Sequence, residues 1–183
     1  QLDDDSHIVA SNDRDAVRAA TEYLIELGHR RIGLVAGPDG FRSARERQEG
    51  FLEAMAKHGL ACGPELIARG SYTFETGRAA AERLFEANPR PTAIFASNDE
   101  MAAGVLQAAR QREISVPEEL SLIGFDDTPI AAHIWPPMTT VRWPIVSMAR
   151  AAALKLIHPL DAEKQPAHFL SDLVRRASVA PPP

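Results

Sequence analysis

A chain of 183 residues, 45% hydrophobic and 25% charged, suits one sizeable core or one and a half lobes of a larger module, and is excluded from the disordered class. Its formal net charge of −5 excludes a broad electrostatic hold on nucleic acid, which needs clustered Lys and Arg. No apolar run approaches the roughly 20 residues that span a bilayer, so no membrane contact is expected.

In chain order, Gln1 to Ser6 is acidic and lacks the basic and apolar stretches of a secretory signal, so the chain reads as cytoplasmic. It opens on Gln rather than Met, and a native start with whatever precedes it is expected to be missing. From Asp13 to Gly28, the positions Ala16, Ala20, Tyr23, Leu24 and Leu27 recur at helical spacing, with Gly28 as the stop. Arg31 to Ala36 is a short apolar run closed by Gly37 and Pro38, as in a buried strand. The alternation then repeats. Helices are expected around Ala44 to His58, Glu75 to Ala87 and Met101 to Ala109; strands are expected at Leu66 to Arg69, Thr92 to Ala96 and Leu120 to Gly124. Strands alternating with helices of about a dozen residues imply a doubly wound α/β lobe on a parallel sheet. After Asp127 the pattern gives way to a loop with Pro129, Pro136 and Pro137, an extended piece from Thr139 to Trp143, and a helix from Ile145 to Ile157. That helix carries Ile145, Ala149, Ala152, Ala153 and Leu156 on one face, which needs a cover. His168 to Val179 has the alternation of an edge strand, and Pro181 to Pro183 reads as a disordered tail.

In an open α/β sheet, ligands bind beyond the carboxyl ends of the strands, near the switch in strand order. The residues there are Ser97, Asn98 and Asp99; Phe125, Asp126 and Asp127; Arg45 and Arg47; and Ser71, Tyr72 and Phe74. Carboxylate, amide, guanidinium and aromatic groups on one rim suit a small polar ligand rich in hydroxyls, and serve a purine equally. Asn98 and Asp99 also stand where helix N-caps belong, and Asp126 and Asp127 where Asx turns are common, so both readings are open. Arg45 and Arg47 cannot share a helix face, so at most one points inward. Tyr72 is equally read as a packing residue.

Catalytic signatures are absent: there is no G-x-S-x-G elbow, phosphate loop, G-x-G-x-x-G or H-E-x-x-H, and no enzyme is expected. The 6 histidines are scattered and the single cysteine, Cys62, has no His or Cys near it at ligand spacing, so neither a metal nor a cofactor is expected. Cys62 reads as a packing or loop residue. His29, Arg30 and Arg31 read as a solvated turn on the opposite rim.

The ordered motifs resemble those of the lactose/galactose repressor family. They are Gly28-His-Arg-Arg-Ile32, Val35-Ala-Gly37, Arg45-Glu-Arg47-Gln-Glu-Gly50-Phe51, Pro91-Thr-Ala-Ile-Phe-Ala-Ser-Asn-Asp99 with Met101-Ala-Ala-Gly104, Val116-Pro-Glu-Glu-Leu-Ser-Leu-Ile-Gly-Phe-Asp-Asp127, Pro137-Met-Thr-Thr-Val141 and Arg176-Ala-Ser178. No single motif is decisive; their order and spacing are specific. The resemblance implies the C-terminal lobe of a two-lobed, periplasmic-binding-protein-like module that binds a sugar-like effector between its lobes. Operator DNA is then bound by a helix-turn-helix absent from this chain, in a homodimer. It further implies effector contacts at Arg47, Tyr72, Asn98 and Asp126; Phe74, from its place past the Leu66 strand, and Trp143, a departure from the family, are expected as further lining.

By the same resemblance, residues 1–12 are a crossover from a missing N-terminal lobe and residues 13–138 are the effector-binding lobe. Residues 139–165 are a crossover and a helix belonging to the missing lobe, and residues 166–183 are the return strand and tail. The helix face is then expected to pack on another copy or to fold back. Two departures stand out. Asn12-Asp13 replaces the family's usual Asp-Asn, and Trp143 stands where glutamine is common, placed to narrow or reshape the cleft. A solute-binding protein of a transport system shares the fold and is the alternative reading; an enzyme on a similar sheet is the more distant one.

Overall fold

The computed structural model describes residues 9–158 and 166–183. The acidic start, Gln1 to Ser6, and the end of the expected crossover, residues 159–165, lie outside the described residues.

A six-stranded sheet has the order β3 (Ile67–Arg69), β2 (Ile32–Ala36), β4 (Ala93–Ala96), β5 (Ser121–Asp126), β6 (Thr139–Arg142) and β8 (Asp172–Val174). All pairs are parallel except β6 with β8, which is antiparallel, so the expected edge strand is present. Every residue of β2 and β4 is buried, because these strands are covered on both faces. The period-2 alternation sorts side chains between two cores. Leu34, Ala36, Phe95, Ile123 and Phe125 face α1 (Asp13–Glu26) and α2 (Arg42–Lys57). Val35, Ile94, Ala96 and Leu122 face α3 (Phe74–Phe85) and α4 (Asp99–Gln111). The last two helices approach backbone to backbone: a Cβ on Gly77 would overlap the Met101 carbonyl, and one on Gly104 the Phe74 carbonyl.

After β3 the chain crosses to the other side of β2 to form β4, so the switch in strand order lies between the carboxyl ends of β2 and β4. β5 runs to Asp126, further than the sequence pattern suggested, and the proline-rich loop holds the short α5 (Pro129–His133).

A second, two-stranded parallel sheet pairs β1 (Ala10–Ser11) with β7 (His168–Phe169). The nearby α6 (Ile145–Ile157) buries Met148, Ala151 and Lys155. The apolar face expected to need a cover points outward: Ile145 is 48% and Leu156 78% exposed, with Val146 at 79% beside them.

Two expectations at the opposite rim are corrected. His29 is buried rather than solvated; its Nε2 donates to the Ala180 carbonyl at 2.9 Å, and its Nδ1 accepts from the Thr92 hydroxyl at 2.8 Å. The tail is held rather than loose. Ala180 N donates to Ser121 Oγ at 3.0 Å, and the Pro182 ring packs on Gly28, whose φ of +109° leaves no room for a side chain's usual conformation.

Candidate functional site

Of the expected site residues, Arg47 and Asp126 are brought side by side and Asn98 meets Tyr72, while Phe74 and Trp143 make no direct contact with Arg47 among the described residues. The second turn of α2 aims the Arg47 side chain at the ends of β4 and β5, where it is 5% exposed, while Arg45 on the same helix is 70% exposed and points outward. Arg47 Nε donates to Asp13 Oδ2 at 2.8 Å and Nη1 donates to the Ser97 carbonyl at 2.5 Å. The guanidinium carbon lies 3.6 Å from the centre of the Phe125 ring, a stacked cation–π contact. Among the described residues, Nη2 makes no hydrogen bond.

Asp126 ends β5 with a φ of +112°, a backbone conformation rare for a residue with a side chain. That twist brings Oδ1 to 3.7 Å from Arg47 Nη1, near enough to attract and too far for a hydrogen bond. Burial is the largest influence on its carboxyl and raises it; Arg47 opposes, Asp99 and Asp13 add to the rise, and the pKa reaches about 7. Next in the chain, Asp127 accepts from Arg142 Nε at 2.7 Å and Arg176 Nη2 at 2.6 Å. Burial raises its pKa, but these two arginines prevail and hold it below the usual carboxylate value. Asp127 thereby anchors the loop that displays Asp126.

Asp99 is fully buried and accepts from Thr140 Oγ1 at 2.6 Å, Thr128 N at 2.7 Å and Thr128 Oγ1 at 3.0 Å. Its pKa is raised, chiefly by burial, against those hydrogen bonds. Asn98 caps α4, accepting from Met101 N at 2.9 Å, and donates through Nδ2 to the Tyr72 carbonyl at 3.1 Å. Capping is therefore real, and it leaves one amide N–H for a ligand. Ser97 Oγ is buried with no partner among the described residues, an orphan hydroxyl at the same strand end.

Tyr72 has a φ of +65°, its hydroxyl lies 3.4 Å from Ser43 Oγ, and its ring meets Phe41 edge-on at 6.2 Å. Gly37 admits it, since a Cβ there would overlap the phenol. Phe74 is the first residue of α3, half-buried. Trp143 follows β6, packs partly against the α1–α2 core, and donates through Nε1 to Ser11 Oγ at 2.8 Å. Ser11, Asp13, Ser43, Trp143 and Met148 border an open cavity of about 210 Å3. A larger one of about 330 Å3, lined by Phe41, Arg45 and Arg69, includes neither Arg47 nor Asp126.

Asp13 is the residue that sequence reasoning left out. Its sole trace was the exchanged order Asn12-Asp13: Asn12 Oδ1 accepts from Ser171 N at 2.8 Å, and Asp13 takes Arg47. Among the described residues, no group of three or more His, Cys, Asp and Glu side chains is placed to hold a metal, and no helix is long and apolar enough to cross a membrane.

Residues 21–179 match the model of the periplasmic binding protein-like domain family. The probable HTH-type transcriptional repressor ExuR of Bacillus subtilis is 38% identical over 149 residues, covering 81% of this chain and 45% of that protein. A solved sugar-binding transcriptional regulator of the LacI family from Escherichia coli, complexed with phosphate, superposes with a TM-score of 0.90 at 35% identity, covering 97% of this chain and 64% of that one. A LacI-family transcriptional regulatory protein from Corynebacterium glutamicum gives 0.87 at 33% identity, covering 98% and 69%. The chain spans about half the length of the curated relatives it matches. It belongs to the periplasmic binding protein-like domain family, among the LacI-family (lactose/galactose repressor) regulators.

Proposed function

We propose that this chain is the greater part of the effector-sensing module of a cytoplasmic transcription repressor, and that it binds a sugar or sugar derivative without transforming it. The observation that carries this reading is the Arg47–Asp126 pair. A buried guanidinium, fixed by Asp13 and the Ser97 carbonyl, faces a carboxylate across 3.7 Å. A ligand hydroxyl beside the pair, within hydrogen-bond reach of both, accepts from the guanidinium and donates to the carboxylate at once, so both groups are satisfied by one neutral group. Tyr72, Phe74 and Trp143 supply apolar surface for the faces of a ring, and Asn98 supplies one further N–H.

Relatives support the regulator over a transport protein: one is called a repressor, and another solved regulator is called sugar-binding. Because those relatives are longer, we assign operator binding to a helix-turn-helix outside these 183 residues, and the second wall of the cleft to a second lobe. Dimerisation and the lobe movement that couples effector to operator belong to the same reading.

The test is a thermal-shift screen of the full-length protein against sugars, sugar phosphates, polyols and nucleobases, repeated with Asp126→Ala and Arg47→Ala. The expected result is stabilisation by one class, abolished in both variants. Equal stabilisation of wild type and both variants would place the ligand elsewhere and defeat the assignment.

A further inference from the structure

The chain passes between its large sheet and the small β1–β7 sheet with α6 at residues 11–13, 142–145 and 169–172. These passages are tied to one another. Asn12 Oδ1 accepts from Ser171 N at 2.8 Å, and Ser11 Oγ accepts from Trp143 Nε1 at 2.8 Å. The Ser11 hydroxyl in turn donates to Asp13 Oδ1, and Asp13 Oδ2 accepts from Arg47 Nε at 2.8 Å. Trp143 is also held at the other side of the site, since its backbone N–H donates to the Asp126 carbonyl at 3.4 Å. Trp143, Ser11, Asp13 and Arg47 thus form a chain of hydrogen bonds that begins and ends at the two faces of the Arg47–Asp126 gap.

We infer that Trp143, Ser11 and Asp13 are positioning residues that set the separation of Arg47 and Asp126, and so the ligand group that can bridge them. The physical reason is that the guanidinium is not aimed by Asp126, which lies beyond hydrogen-bond distance, but by Asp13. Asp13 opens α1 and is itself fixed on its other oxygen by Ser11, whose hydroxyl is oriented by the indole. Any movement of the passages between the two sheets is therefore delivered to Arg47 through a carboxylate. By linkage, a ligand that displaces Arg47 biases those passages by the same free energy. Phenylalanine at Trp143 keeps an aromatic ring but lacks the N–H, so the chain stops at Ser11.

This rests on the proposed role of Arg47 in effector binding, but its test needs no effector. In the 15N-labelled 183-residue protein, Arg47 Nε–H is expected as a slowly exchanging side-chain resonance, assigned by its loss in Arg47→Lys. Trp143→Phe and Ser11→Ala are each expected to shift it and to speed its exchange with water about tenfold, with Asp13→Asn doing more. The backbone amide spectrum of the same sample reports that each variant is folded. If Asp13→Asn does not fold, the two milder variants decide. An Arg47 resonance whose position and exchange rate ignore both Trp143→Phe and Ser11→Ala would overturn the inference. A resonance that responds to them, beside a full-length protein whose ligand stabilisation survives Arg47→Ala, would uphold the inference and defeat the effector assignment instead.

Discussion

Arg47 hydrogen-bonds Asp13 at 2.8 Å and stands 3.7 Å from Asp126, so the two carboxylates share one guanidinium unequally. The first contact is structural and buried, with Arg47 5% and Asp13 4% exposed. The second is open on one side, with Asp126 25% exposed. One cation therefore holds the lobe's interior together and faces the rim proposed to receive the ligand.

Removing that cation leaves Asp13 as a buried carboxylate with no counter-charge and opens a void over the Phe125 ring. Arg47→Ala is expected to destabilise the chain by about 3–5 kcal/mol, the usual cost of breaking a buried ion pair. Arg47→Lys keeps charge but not the planar fork that spans Asp13 and the Ser97 carbonyl, and is expected to fall between. Denaturant unfolding measures both; a loss under about 1 kcal/mol for Arg47→Ala would mean the pair is not a structural element.

Titration of Asp126 gives a second prediction. Its folded pKa, about 7, lies above the ordinary 3.8, so between these values the folded state binds a proton that the unfolded state has released. Stability from this group is therefore fully present below 3.8 and is lost as pH rises to about 7. Asp99 is shifted the same way, whereas His29, whose pKa burial depresses below 6.5, acts oppositely and destabilises as pH falls. Asp127, held low by Arg176 and Arg142, acts only at more acid pH. The comparison that isolates Asp126 is wild type against Asp126→Asn. Their difference is expected to grow in favour of Asn by roughly 1–3 kcal/mol across the window, after solvent screening of a partly exposed group, and to level off above it. A flat difference from acid to neutral pH would show an ordinary carboxylate.

The parallel sheet and its covering helices were legible because they depend on periodicity: β2 and β4 are unbroken apolar runs, and α1 to α4 carry apolar stripes. Helix geometry said only that at most one of Arg45 and Arg47 points inward, and the family resemblance chose Arg47; the structure buries Arg47 and exposes Arg45. What stayed hidden depends on contacts between residues far apart in the chain. Asp13 reaches Arg47 across 34 positions, and Trp143 reaches Ser11 across 132. No local pattern encodes such pairs. His29 was misread because a polar residue before a strand is usually solvated, whereas here the returning tail covers it.

That tail supplies a third prediction. Ala180 offers its N–H to Ser121 and its carbonyl to both Ser121 and His29, bridging the turn after α1 and the amino end of β5. Deleting residues 180–183 leaves the His29 Nε2–H without its closest acceptor in a buried site. The deletion is expected to cost about 1–3 kcal/mol, and His29→Ala a similar amount. The combined variant is expected to lose less than the sum, because the Ala180–His29 bond is counted in both, while the tail's bonds to Ser121 and the histidine's bond to Thr92 still add. Full additivity would show that the tail and the histidine act separately.

The outward face of α6 supplies the last. Val146 and Leu156 are 79% and 78% exposed, and Ile157 is 67% exposed, while Met148 and Ala151 on the other face are buried. Large aliphatic side chains concentrated on one helix face form an apolar patch that water solvates poorly, and patches of this kind mark association surfaces. In the proposed full-length protein that surface belongs to the second lobe; in the 183-residue chain it is expected to meet another copy. Sedimentation velocity across a concentration series is expected to reveal reversible self-association, abolished by Val146→Glu with Leu156→Glu. Because both side chains are already solvated, unfolding free energy at low concentration is expected to change by less than about 0.5 kcal/mol. A monomer at all concentrations would show that the face is tolerated in water, and would leave the second lobe as its only proposed cover.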